Sequence, residues 1–135
     1  MIEKVTLQLS GDGKFHSEDG GPCEGMNPKK MLLYAAAQCS GQTALMIMQK
    51  ERITPTRFEI SYSGELSAEE VQSESVYSSF HVVYNVACGS GDDQAKVSRA
   101  IDLTHEKYCG MVQMLRRIAP VSREIAVVST QPAKA

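Results

Sequence analysis

Four cysteines and three histidines are the side chains of this 135-residue chain best suited to nucleophilic, redox or metal chemistry. Cys39 and Cys109 stand apart from the other cysteines, because each falls in a helical stretch among small or apolar neighbours. Cys39 sits inside a polar run, Gln38-Cys39-Ser40-Gly41-Gln42-Thr43, an odd setting for an inert core thiol. Cys109 precedes Gly110 near the start of a short helix, where the helix dipole favours a thiolate. The plainer reading, that both are small packing residues, stays open on spacing alone.

The remaining candidates carry less. His105 and Cys109, at i and i+4, have a spacing that holds metals or lets a base serve a thiol. There is no CxxC or HxxxH, and His16 and His81 lie far off in sequence, so no metal is expected and His105 reads first as a solvated or packed histidine. Cys23 falls in a loop, as a redox-sensitive thiol or, more simply, a bystander, and Cys88 ends a strand. Arg116-Arg117 offers charge for an anion but is better explained as a solvated helix face. Glycines 11, 13, 20, 21 and 25 match no phosphate-binding fingerprint and read as turns, so no cofactor is expected.

The elements that position these side chains follow from periodicity. Val5, Leu7 and Leu9 alternate as a half-buried strand over residues 3–10. Gly11-Asp12-Gly13 turns the chain, and Lys14 to Ser17 returns as a second strand. A loop with Gly20-Gly21-Pro22 leads to Asn27-Pro28, an N-cap followed by proline at the first helical position. A helix then runs to about Lys50, roughly 36 Å. It is apolar nearly all round, which suggests burial against a second subunit. Gly41 inside it suggests a closely packed neighbour.

Thr54-Pro55-Thr56 ends the helix, and Phe58, Ile60 and Tyr62 open a strand to about Leu66. Residues 67–75 form a polar, acidic connection. Phe80, Val82, Tyr84 and Val86 make the clearest strand, closed by Gly89-Ser90-Gly91-Asp92-Asp93, which also caps the next helix. Val97, Ile101, Thr104, Tyr108, Val112, Leu115 and Ile118 fall near one helical stripe, with a break at Gly110 and an end at Pro120. Glu124 to Ser129 is a closing strand, and Gln131 to Ala135 a frayed tail. The order β-β-α-β-β-α-α-β predicts a single α+β domain over 1–135, with antiparallel strands.

Composition excludes other classes. Hydrophobic residues make up 42% and charged residues 22%, as in ordinary globular proteins, and the net charge of -2 comes without a basic cluster for nucleic acid. The apolar run from Met31 to Ala37 is too short to span a bilayer, and residues 1–7 lack a signal peptide's apolar core. A cytoplasmic location, with no membrane and no nucleic-acid partner, is expected.

The segment Asn27-Pro28-Lys29-Lys30-Met31-Leu32-Leu33-Tyr34-Ala35-Ala36-Ala37-Gln38-Cys39 resembles the first cysteine helix of the OsmC/Ohr family. The segment Ala100 to Cys109, followed by Met111 to Leu115, is similar to the second cysteine region, and Phe58 to Leu66 to the central strand. The resemblance covers nearly the whole chain. It implies an intertwined homodimer, with antiparallel sheets wrapped around long central helices and the two cysteines near the interface. It also implies thiol-dependent reduction of organic hydroperoxides. Cys39 would attack the peroxide and become a sulfenic acid, Cys109 would condense with it to a disulfide, and an external dithiol would restore both.

One departure from the family pattern matters. Active members place a glutamate ten residues before the first cysteine and pair it with an N-terminal arginine. Lys29 stands at that position here, and no arginine precedes the long helix. Lys14 and Glu24 are the nearest replacements by charge. Without such partners a thiol stays near pKa 8.5 and only a few per cent ionised at about pH 7. Two readings therefore go forward: the Cys39/Cys109 peroxidase, and a non-catalytic or differently acting member that binds a small apolar molecule at the dimer groove.

Overall fold

The computed structural model describes residues 1–18, 23–69 and 73–130. Two expected features, the Gly20-Gly21-Pro22 loop and the tail from Gln131, lie outside the described residues, as do residues 70–72 of the polar connection. Five strands form one sheet: β1 (Ile2–Leu9), β2 (Phe15–Ser17), β3 (Arg57–Leu66), β4 (Tyr77–Cys88) and β5 (Val121–Ser129). Their spatial order is β2-β1-β3-β4-β5. Helices α1 (Pro28–Lys50), α2 (Gln94–Leu103) and α3 (Gly110–Arg116) pack on one face of it.

The α+β expectation holds, with one correction. β1, β2, β3 and β4 pair antiparallel, but β5 runs parallel to β4. A parallel neighbour needs a crossover, and residues 89–120, which hold α2 and α3, supply it. That crossover carries Cys109 over the sheet.

Alternation sorts the strands into two faces. Val5, Leu7, Phe58, Ile60, Tyr62, Phe80, Val82 and Tyr84 are buried beneath the helices. The outer face carries Thr6, Ser61, Glu59 and His81. There Thr6 bonds Ser61 at 2.8 Å, and His81 lies between Ser122 at 2.6 Å and Glu124 at 3.4 Å. That is a solvent-facing polar surface, as expected of a sheet with one wet side.

Helix α1 begins and ends for identifiable reasons. The Asn27 side chain accepts the Lys30 amide at 2.9 Å, and Pro28 follows it. At the other end the Arg52 amide bonds the Gln49 carbonyl and the Ile53 amide bonds the Met48 carbonyl. Buried Ile53 and Met48 close this Schellman turn. Arg52 takes the left-handed position, φ 61°, that glycine usually fills.

The inner side of α1 presents Leu33, Ala36, Ala37, Ser40, Gly41, Ala44 and Met48, all buried. Most are small, so the helix sits low on the sheet. The Phe15 ring lies over Gly41, and a Cβ there would stand 2.9 Å from its carbons. The closely packed neighbour is thus β2 of the same chain, held by an edge-on contact of Phe15 with Phe58 at 5.1 Å. On the outer side Met31 and Met46 are exposed, Met46 by 55%.

Candidate functional site

Successive residues on a helix point about 100° apart, so Cys39 and Ser40 face different ways. Ser40 points inward to the sheet and is fully buried, whereas Cys39 turns toward α3 and stays half-buried. Cys109 comes to meet it from the other helical arm. After α2 the chain makes one π-helical turn, Thr104–Tyr108, in which the Cys109 amide bonds the Thr104 carbonyl at 2.9 Å. Cys109 then breaks to an extended conformation, φ -85° and ψ 107°, and α3 starts at Gly110.

The extra residue in that turn corrects the expected stripe. Val97, Ile101, Thr104, Val112 and Leu115 are buried as expected, but Tyr108 and Ile118 are exposed by 55% and 54%. A π turn advances the chain by one residue, so Tyr108 rotates outward and Cys109 takes the inward position. The break itself falls where expected, with Cys109 at the joint and Gly110 opening α3.

The two sulfurs lie 3.3 Å apart, with Cys109 placed as donor to Cys39. Both are free thiols. A disulfide bond is about 2.05 Å long, so closing one requires an approach of only about 1.3 Å. The Ser40 hydroxyl sits 3.3 Å from the Cys109 sulfur and is hydrogen-bonded on its other side to the Tyr62 hydroxyl. The Tyr84 hydroxyl is buried in the same cluster, electrostatically coupled to Ser40 and Tyr62 but without a well-formed hydrogen bond of its own.

Burial governs the electrostatics. It pushes the Cys109 thiol up. The Ser40 hydroxyl opposes that shift, and so does the Val112 amide, at a geometry short of a full capping bond. Burial also drives the Tyr62 phenol well above its ordinary value and Tyr84 up to about 12, so both remain protonated donors.

His105 is fully buried against the Tyr84 ring, and neither ring nitrogen has a partner among the described residues. Burial, reinforced by Arg123 and Arg116, lowers its pKa to about 4. The imidazole is neutral at physiological pH and a poor proton acceptor for Cys109. No group of three or more His, Cys, Asp or Glu side chains suited to a metal occurs among the described residues. Outside the turn, Arg123 bonds Asp102 at 3.1 Å and also Glu106, tying β5 to it.

The other candidates lie away from the sulfurs. Lys14 and Glu24 are exposed, at the β-hairpin and in the 3-10 turn Cys23–Gly25. Lys29 is ten residues before Cys39 on the same helix, about 15 Å along the axis, and its ammonium lies 3.3 Å from the Ser75 hydroxyl. Cys23 is half-buried, and Cys88 is buried with its thiol donating to the Ser90 and Val128 carbonyls. Arg116 bonds Gln113 and Glu106, and Arg117 is exposed. Four surface hollows of about 110–360 Å³ open elsewhere, and none of the four is lined by Cys39 or Cys109.

Sequence reading missed Ser40 and Tyr62 as members of this cluster. A serine next to a helical cysteine, and a tyrosine on the buried face of the central strand, were the available signals. No helix among the described residues is long and apolar enough to cross a membrane.

A family model described as OsmC-like protein matches residues 20–124. The protein YhfA of Escherichia coli K12 is 30% identical over 122 residues, covering 90% of this chain and 84% of that protein. An OsmC-like protein from Mycoplasma pneumoniae shares the fold with a TM-score of 0.62 at 16% identity, over 95% of this chain and 96% of that one. The organic hydroperoxide resistance protein OhrB of Bacillus subtilis does so with a TM-score of 0.56 at 21% identity, over 93% and 97%. A cysteine-bearing long helix laid on a five-stranded sheet, a second cysteine brought back by the crossover, and a family match over most of the chain lead to one conclusion: this chain belongs to the OsmC-like protein family.

Proposed function

We propose that the chain is a thiol-dependent peroxidase for organic hydroperoxides, with Cys39 as the attacking thiol and Cys109 as the resolving thiol. The observation that carries this reading is the 3.3 Å contact between a half-buried and a fully buried sulfur. The Cys39 thiolate attacks the terminal peroxide oxygen, the O–O bond breaks, and the alkoxide leaves as the alcohol after taking a proton. Cys109 then displaces hydroxide from the Cys39 sulfenic acid, forming the disulfide and water. An external dithiol reduces that disulfide by two exchange steps and is itself oxidised to a disulfide. OhrB, which shares the fold, is named for organic hydroperoxide resistance.

The active unit in this reading is a homodimer. Exposed Met31 and Met46 on α1, with Tyr108, Met114 and Ile118 around α3, give a second copy an apolar surface to cover. A partner would also supply the walls of a substrate pocket, and a dithiol site suits a reducing compartment, the cytoplasm.

The test is steady-state reduction of cumene hydroperoxide with dihydrolipoamide as reductant. Turnover well above that of a free thiol, lost in Cys39→Ser, is expected. Consumption no faster than free cysteine sinks the reading. The second reading, a non-catalytic member binding a small apolar molecule at the dimer groove, draws on Lys29. It lies against Ser75 and far along the helix from its own Cys39. Inert cysteines together with saturable binding of an apolar fluorescent probe would favour it.

A further inference from the structure

We propose that Ser40 is a catalytic hydrogen-bond donor to Cys109 in the disulfide-forming step, and that Tyr62 is its positioning residue. The inference rests on the peroxidase reading only for the identity of the oxidant; attack of Cys109 on an oxidised Cys39 sulfur is the step it concerns.

Counting hydrogens fixes the direction of the chain. Three contacts run in series: Tyr62 hydroxyl to Ser40 hydroxyl, Ser40 hydroxyl to Cys109 sulfur, and Cys109 sulfur to Cys39 sulfur. Tyr62, Ser40 and Cys109 each own one hydrogen. Once Cys39 is oxidised, its sulfur carries none. Each contact then has a hydrogen only if all three donors point the same way, Tyr62 to Ser40 to Cys109 to Cys39. The Ser40 hydroxyl is thereby aimed at the Cys109 sulfur when that atom must become nucleophilic.

The chemistry needs such a donor. As the S–S bond forms and the S–O bond of the sulfenic acid breaks, the Cys109 proton leaves with the departing hydroxyl as water. Negative charge gathers on a sulfur with no side-chain exposure to water, and desolvation there is costly. Ser40 meets that charge from inside the protein. Tyr62, whose hydroxyl is buried and keeps its hydrogen, polarises Ser40 and occupies the alternative acceptor direction. Both side chains rise from rigid elements, α1 and the central strand β3. The donor is therefore in place before the reaction begins.

The test separates this step from peroxide chemistry. In a Cys23→Ser background, Cys39 is converted to its mixed disulfide with 5-thio-2-nitrobenzoate. Attack by Cys109 on the Cys39 sulfur then releases the coloured thiolate, and its rate is followed by stopped flow. Ser40→Ala is expected to slow release about tenfold or more, the scale of one hydrogen bond to a charged group. Tyr62→Phe, which keeps Ser40, is expected to slow it by a smaller factor. The double variant is expected to be no slower than Ser40→Ala, because both act through one hydroxyl. Unchanged release in Ser40→Ala, or full additivity of the two losses, overturns the proposal. A wild-type protein inert to cumene hydroperoxide but showing this pattern refutes the peroxidase reading and leaves Ser40's role standing. A merely structural Ser40 would lower the melting temperature and leave the release rate alone.

Discussion

The two sides of helix α1 differ in how complete they are. Its inner side, from Leu33 through Ser40 and Gly41 to Met48, is packed against the sheet and buried. The polar groups gathered there, Ser40, Tyr62 and Cys109, form one buried hydrogen-bonded cluster. Its outer side presents Met31, Ala35, Gln42 and Met46 to solvent, with Cys39 at the margin between the two. A single chain thus brings its two thiols into contact without a second subunit. The outer side is left open, while Lys29, four and seven residues before buried Leu33 and Ala36, falls on the inner stripe and reaches the Ser75 hydroxyl.

Loss of the inner thiol gives the largest effect. Cys109→Ser is expected to abolish disulfide formation and multiple turnover while Cys39 still reacts with peroxide. Without a resolving partner, the Cys39 sulfenic acid goes on to sulfinic acid, seen by mass spectrometry as a gain of two oxygens. A Cys109→Ser protein that turns over normally would erase the distinction between the two sides.

Acid attacks the inner side next. His105 is buried and neutral, and its folded pKa of about 4 lies below the ordinary value of 6.5. Its contribution to stability is fully present above pH 6.5 and is lost as pH falls toward about 4, because the unfolded chain binds the proton first. The loss should be on the order of 2–3 kcal/mol. Urea denaturation at pH 7 and pH 4.5, compared with His105→Phe, checks it; equal pH dependence in the two proteins would rule this source out.

Gly41→Ala is expected to cost about 1–3 kcal/mol, since the new methyl group meets the Phe15 ring in a packed core. Gly110→Ala, with open space around its Cβ, should be neutral or slightly stabilising. Thermal melts of the pair sharpen the point that α1 is tight inside. The smallest stability change belongs to the outer side: Met46→Glu should alter stability by no more than about 0.5 kcal/mol. If a second copy covers that face, the same substitution shifts the sedimentation profile from dimer to monomer.

Much of this arrangement was legible in the sequence, and the reasons differ by element. The bounds of α1 followed from Asn27-Pro28 and from the loss of helical character before Pro55, and Gly41 marked a real close approach. Alternation identified β1, β3 and β4. The direction of β5 was not legible, because a strand's own alternation is the same whether its neighbour is parallel or antiparallel. Nor was the π turn: helical periodicity assumes a constant advance per residue, and one extra residue moved Tyr108 out and Cys109 in. Cys39 and Cys109 were singled out by setting and resemblance, but nothing in one dimension showed that Ser40 and Tyr62 meet beneath Cys109. That contact depends on the height of α1 above β3, which the small residues of its inner side determine.

The most direct measurement is a disulfide map after one equivalent of cumene hydroperoxide. Reduced protein is treated, quenched with an alkylating agent within seconds, digested and analysed by mass spectrometry. A peroxidase role for the pair predicts a Cys39–Cys109 linked peptide as the main product, absent in Cys39→Ser, with Cys23 and Cys88 alkylated as free thiols. Four alkylated cysteines and unconsumed peroxide would contradict it.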